Sequence, residues 1–195
     1  MRAIFLRSIA VTAALLILLC GFYPLTVTML ARLLFPSRAN GSLVLAGDKI
    51  IGSELIAQAF SSPEYFHPRP SAAGGRGYDA ANSGGSNLGP TSRRLIDSVR
   101  ANIDLLIKEN PAIQKGAIPV EMVTSSASGL DPDISPEAAL LQAARVAGAR
   151  HSDPEAVKRL IAKETRGRTF GILGERRVNV LLLNLRLDRE IHFHK

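Results

Sequence analysis

SIAVTAALLILLCGFYPLTVTMLA, residues Ser8 to Ala31, is a run of twenty-four residues without a formal charge, closed by Arg7 on one side and Arg32 on the other. A helix rises 1.5 Å per residue, so about 20 mostly apolar residues cross the ~30 Å hydrocarbon core of a bilayer. This run therefore predicts a transmembrane helix with length left over for tilt. Secretory signals fit less well: their apolar core is about 7–15 residues and ends at a small-x-small site. Here the run continues through Tyr23-Pro24-Leu25 to Met29-Leu30. Cys20 resembles an acylated lipoprotein cysteine only in type, because Leu19 stands where such processing wants Gly or Ala. Pro24 removes one backbone donor inside the span and predicts a kink there.

The span organises the rest of the chain. Residues 1–7 read as a short basic N-terminus, 8–31 as the membrane helix, 32–41 as a linker, 42–189 as a soluble domain and 190–195 as a polar tail. Arg2 and Arg7 precede the span while Arg32 and Arg38 follow it, so the charge difference across it is small. Short basic N-termini stay inside and long domains translocate largely regardless of their own charge. The expected orientation is N-terminus in the cytoplasm and domain outside it. The single cysteine lies within the span, which leaves the exported part with none and is compatible with an oxidising compartment.

Charge is distributed unevenly. Residues 1–38 carry four arginines and no acid, 39–144 carry 8 basic against 11 acidic residues, and 145–195 carry 12 against 6. The net charge of +7 thus belongs to the two ends. A basic final third attracts anionic lipid, nucleic acid or an acidic protein. Nucleic acid is excluded as a partner on two grounds: 7 Phe, 3 Tyr and no Trp offer few stacking platforms, and the domain is expected outside the cytoplasm.

Beyond the linker turn at Pro36–Gly41, Ser42–Leu45 and Lys49–Gly52 flank Ala46-Gly47-Asp48 and predict a hairpin. Ser53–Phe60 fits strand or helix, and prolines 63, 68 and 70 forbid both over the next ten residues. Thr91 or Ser92 caps a predicted helix with Leu95, Val99, Ile103 and Leu106 on one face, ending at Asn110. Pro119–Val123 reads as extended. Ser135-Pro136-Glu137 opens an alanine-rich helix to about Gly148, and Ser152 with Glu155 has capping-box spacing for the next. Gly167–Gly174 is a loop, and the aliphatic run Val178–Leu187, interrupted by Asn179, Asn184 and Arg186, is predicted as a buried strand. The fold class expected is one N-terminal transmembrane helix followed by a single α/β or α+β extracytoplasmic domain, with a small sheet and about three helices.

No constellation marks covalent chemistry, so no catalytic residue and no metal ligand is assigned. His192 and His194 sit in a polar tail, and His67 and His151 have no cysteine or carboxylate cluster beside them. Ser83, Ser86, Ser125 and Ser128 lack an activating base or a nucleophile elbow. Asp131 and Asp133 lack the Gly and Glu of a calcium loop. The stretch YDAANSGGSNLGP, Tyr78 to Pro90, combines small and amide side chains with three glycines. Such a backbone can form an anion-binding nest, yet it carries neither a Walker Lys-Ser/Thr nor G-x-G-x-x-G, and an ordinary packed loop has the same composition.

That stretch resembles the signature loop of the C subunit of the Kdp potassium-transporting P-type ATPase. Ala39–Leu43, Tyr65–Ser71, Ala127–Pro136, Arg145–Ala147 and Arg177–Leu185 resemble the same family in the same order, as does the N-terminal anchor. Pro68 stands where the family often has glycine, and Asp79 where asparagine is common. The resemblance implies a non-pumping subunit of a bacterial complex that imports K⁺ with ATP. Its partners are a channel-like potassium-binding subunit, an ATPase subunit phosphorylated on aspartate, and a very small single-span subunit. It also implies a catalytic-chaperone role in which Ser83, Gly84, Gly85 and Gln142 contact ATP bound by the complex, with no cofactor of the chain's own.

An exported domain cannot meet cytoplasmic ATP, so the orientation argues instead for a cap on the outer mouth of the channel subunit that holds the complex together. The net-acidic middle segment is expected to face that entrance. The competing class is an independent membrane-anchored exported protein that binds a solute or a cell-wall component.

Overall fold

The computed structural model describes residues 1–111 and 113–191, the side chain of Lys115 excepted; the expectations for His192, His194 and the end of the polar tail lie outside the described residues. The chain divides into two units, Met1–Ile51 and Gly52–Lys195.

The first unit is dominated by α1, a continuous helix over Arg2–Leu34 whose 33 residues bury none of their apolar surface within the protein. Its middle, Ile17–Phe22, is a π-helical turn lying directly before Pro24. Proline cannot donate to the carbonyl four residues back, and the helix accommodates this by widening: the N–H of Tyr23 bonds the carbonyl of Leu18, five residues away. A single helical turn, Pro36–Ala39, follows α1. Strands β1 (Leu43–Ala46) and β2 (Lys49–Ser53) then pair around the turn at Gly47, whose φ of +61° suits glycine.

In the second unit no regular helix or strand forms between Glu54 and Ser92. Helix α2 (Arg93–Glu109) lays Leu95, Val99, Ile103 and Leu106 inward, and only Leu106 is fully buried. Helix α3 (Pro136–Ala149) begins as its sequence dictates, with the Ser135 hydroxyl accepting from the N–H of Ala138. Its Ala138, Ala139, Ala143 and Ala147 are fully buried, and such small side chains let α3 pack closely on α4 (Pro154–Glu164). Val157, Leu160 and Ile161 of α4 complete that contact layer, and Phe66, Met122, Ile134 and Val178 join the same core.

Three local expectations are corrected. The run from Val178 is a strand for two residues only: β4 (Val178–Asn179) pairs antiparallel with β3 (Asp133–Ile134), and Val180–Glu190 is helix α5. Val180, Leu181, Leu183, Asn184 and Leu187 are the buried positions, a helical spacing that a ten-residue aliphatic run masks. The Asn179 side chain accepts from the N–H of Leu182 and so starts the helix. Pro119–Val123 is not extended but contains a 3₁₀ turn, Val120–Met122, closed by the N–H of Met122 on the Pro119 carbonyl. Helix α4 is capped by Asp153, not Ser152: the Asp153 carboxylate accepts from the N–H groups of Glu155 and Ala156. The expected small sheet is two separate two-stranded ones, and the domain has four helices of at least three turns.

Candidate functional site

The glycine loop lies against the loop 126–131. Ser71 organises the approach: its hydroxyl accepts from the N–H groups of Ala73 and Tyr78, at 3.1 and 2.7 Å, and donates to the carbonyl of Gly129 at 2.6 Å. The Asp79 carboxylate accepts from the Ala81 N–H and the Asn82 amide, bonds that hold its pKa below the usual aspartate value, the Asn82 contribution being the larger. Tyr78 donates its phenol to the Arg69 carbonyl, and burial pushes that phenol up to about 12. Arg69 also pairs with Asp131 at 3.1 Å.

Ser83 and Gly84 then dock on Ser128. The Ser83 hydroxyl and the Gly84 N–H both donate to the Ser128 carbonyl, at 3.0 and 2.8 Å. A Cβ on Gly85 would come within 2.7 Å of the Ala127 carbonyl oxygen. On the facing loop, a Cβ on Gly129, at φ +67°, would come within 2.6 Å of the Gly84 oxygen. Glycine is required on both sides because two backbones meet there.

Gln142 belongs to a different cluster. It is 1% exposed, and its amide brackets His67: Oε1 accepts from the His67 N–H at 2.8 Å and Nε2 donates to the His67 carbonyl at 3.1 Å. Asn184 of α5 brackets the preceding residue in the same way, accepting from the Phe66 N–H at 2.8 Å and donating to the Phe66 carbonyl at 3.0 Å. Arg145 donates to the carbonyls of Pro63 and Tyr65 and to Oε1 of Gln142. Arg150, 1% exposed, donates to the carbonyls of Glu64 and Ile191, pairs with Asp188 at 2.6 Å and lies 5.0 Å from the Tyr65 ring centre. His67 Nε2 lies 3.1 Å from the Ser62 carbonyl; a carbonyl only accepts, so Nε2 carries the proton.

Every carbonyl from Ser62 to His67 thus accepts from a side chain. The prolines of this stretch prevent a ladder, buried carbonyls must still be paired, and the helices supply the donors. Burial, assisted by the Arg145 charge, lowers the His67 pKa; the Glu109 carboxylate, 3.6 Å from Nδ1, pulls the other way and loses. Of this clamp, Gln142 was singled out in the sequence for another role, and Asn184 was visible as a polar break in an aliphatic run. Arg150 carries no signal that composition or spacing could expose.

The structure places Ser83, Gly84 and Gly85 together in the glycine loop and Gln142 in the cluster around His67. The Gly84 N–H is bonded to Ser128, and both amide atoms of Gln142 are bonded to His67. Three acids of the net-acidic middle segment sit beside arginines: Asp97 lies 3.6 Å from Arg93, Asp131 3.1 Å from Arg69 and Asp133 3.1 Å from Arg177. A groove of about 520 Å³ between the end of α2 and α3 is lined by Glu109, Ile113, Leu141, Ala144 and Arg145. Asn110 Oδ1 and Arg145 Nε, which belong to two of the residues lining that groove, are buried without hydrogen-bond partners. Among the described residues no three His, Cys, Asp or Glu side chains converge.

Residues 5–189 match the model of the family "KdpC: K+-transporting ATPase, c chain". Relatives called potassium-transporting ATPase KdpC subunit are similar over almost the whole length. That of Myxococcus xanthus is 54% identical over 97% of this chain and 89% of its own. That of Rhodospirillum rubrum is 55% identical over 94% of each, and that of Nitratidesulfovibrio vulgaris is 52% identical over 93% and 92%. Likeness at that level, running from α1 through the clamp into α5, places the chain in the KdpC family, the C subunits of potassium-transporting ATPases.

Proposed function

We propose that the chain is an accessory, non-pumping subunit of an ATP-driven potassium importer, anchored in the bacterial inner membrane by α1 with its N-terminus in the cytoplasm and its domain outside. Membership of the family over residues 5–189, together with a 33-residue apolar helix that the protein itself leaves uncovered, carries this reading. Its role is assembly: it holds together the channel-like subunit, the ATPase subunit and the small single-span subunit, and stands at the outer mouth of the channel.

The test is to supply the chain to a bacterium lacking its own C subunit and to purify the complex through a tag on the ATPase subunit. Growth at limiting K⁺ is restored and the chain co-purifies. A chain that stays alone while binding a small solute or cell-wall material would overturn the reading in favour of an independent exported binding protein.

The catalytic-chaperone role is a second reading, favoured by the exposure of Ser83 in the loop. It needs the domain on the cytoplasmic side and frees neither Gly84 nor Gln142 from their present bonds. Ser83→Ala separates the two. An unchanged KM for ATP in the assembled complex is expected, and a several-fold rise would transfer the role to the nucleotide.

A further inference from the structure

Residues 166–177 form a closed hairpin. Arg166 and Arg177 exchange backbone hydrogen bonds at 2.8 and 3.0 Å, and Thr169 and Leu173 exchange a second pair at 2.8 and 2.9 Å. The three residues between that second pair make the tip, and the Gly171 N–H ties back to the Arg168 carbonyl at 3.0 Å. The tip is apolar and open to solvent: Phe170 is 89% exposed, Ile172 77% and Leu173 61%. Exposure of one such residue is ordinary, but three in four positions on a backbone-closed turn form a patch.

Two observations say what covers it. Phe170 sits at φ +54°, a left-handed conformation that bulky side chains rarely hold and that persists where the surroundings impose it. Three of the hairpin's four arginines have an acidic partner: Arg166 pairs with Glu54 at 3.2 Å, Arg168 with Glu175 at 2.7 Å and Arg177 with Asp133 at 3.1 Å. Among the described residues, Arg176 is the hairpin cation with no acidic side chain within 4.0 Å. A hairpin that inserts into anionic lipid keeps a free basic rim to meet the headgroups. An apolar tip above a base on which three of four arginines are paired fits an apolar socket in a protein better than a charged bilayer surface.

We propose that Phe170, Ile172 and Leu173 are a plug that docks in an apolar, weakly charged socket on another subunit of the complex. This deepens the assembly reading and rests on it. The plug is rigid before docking, because its backbone is closed at two levels, so binding orders little that was loose.

The experiment uses the full chain co-expressed with the tagged complex. Phe170→Asp and Ile172→Asp, separately and together, leave the thermal unfolding of the purified full-length chain in detergent unchanged. They lower its recovery with the tagged ATPase subunit by roughly thirtyfold or more, the scale of an interface hot spot, while Phe170→Leu keeps most of it. A photo-reactive benzoylphenylalanine at position 170 gives a protein–protein adduct with one other subunit.

If the wild-type chain does not co-purify, the assembly reading itself fails. If the wild type co-purifies and the aspartate variants do so equally, the plug is overturned and the reading stands. Lipid adducts alone from position 170, with the wild-type chain but not the aspartate variants binding phosphatidylglycerol vesicles, would also overturn the plug and assign the tip to the membrane.

Discussion

Residues 62–67 and residues 166–177 are both irregular in sequence and unlike in what they do with it. The first stretch is rich in backbone that no ladder can satisfy, and the helices turn buried polar side chains onto it: Gln142, Arg145, Arg150 and Asn184. The second satisfies its own backbone and turns apolar side chains outward. In one region polar groups are inside because the fold consumes them. In the other, apolar groups are outside and the fold has no use for them. The contrast separates side chains that build the domain from side chains available to a partner.

The sharpest way to break that contrast is at Arg150. Replacement by Ala leaves the carbonyls of Glu64 and Ile191 without their donor and removes the cation over Tyr65. At about 1–3 kcal/mol for each orphaned buried group, a loss of about 4 kcal/mol is expected in the denaturant unfolding of the full-length chain in detergent. An effect below about 1 kcal/mol would show the clamp to be decorative. Gln142→Leu and Asn184→Leu each strand one N–H and one C=O, of His67 and Phe66 respectively, and each is expected to cost about 2–4 kcal/mol by the same measurement. Equal losses at the two positions would tie Gln142 to the clamp; a stable Gln142→Leu protein with altered ATP dependence would return it to a nucleotide role.

These clamp residues mark the limit of what the sequence makes legible. Capping and period carry α2 and α3 almost to the residue, because Ser135 and the Leu95–Leu106 face act over one turn of chain. The hairpin β1–β2 follows from its turn residues in the same local way. Val178–Leu187 fails because a run buried on several sides shows no clear period, and the asparagines that break it are core groups with distant partners, Glu54 for Asn179 and Phe66 for Asn184. The glycine loop is legible as a place where backbones approach, but the segment facing it, Ala127–Gly129, is 45 residues away at the Ser83–Ser128 bond and composition gives no hint of the pairing. Gln142 shows the same limit: its motif is readable, and its partner is not.

A gentler probe sharpens the comparison through pH. The pKa of folded His67 is lowered, so between the unfolded value near 6.5 and the folded one the unfolded chain binds a proton that the folded chain refuses. Stability is complete above about pH 7 and falls as the solution is acidified through that window. In a His67→Phe protein this part of the slope is lost, although the overall stability is lower; an unchanged slope would place the titration elsewhere. At the bottom of the scale, Phe170→Asp and Ile172→Asp change the stability of the isolated chain by no more than about 0.5 kcal/mol, as exposed substitutions do. A larger loss would mean that the hairpin tip is packed within this chain and does not belong to a partner.

The account turns on which side of the membrane the domain occupies. A cysteine introduced at the exposed Ser98, in a Cys20→Ala background, is offered to a membrane-impermeant maleimide in cells permeable only at the outer membrane. Labelling in intact cells is expected, and it places the clamp, the glycine loop and the hairpin outside, beyond the reach of ATP. Protection in intact cells with labelling after lysis would contradict the account and return Ser83, Gly84 and Gly85 to the nucleotide.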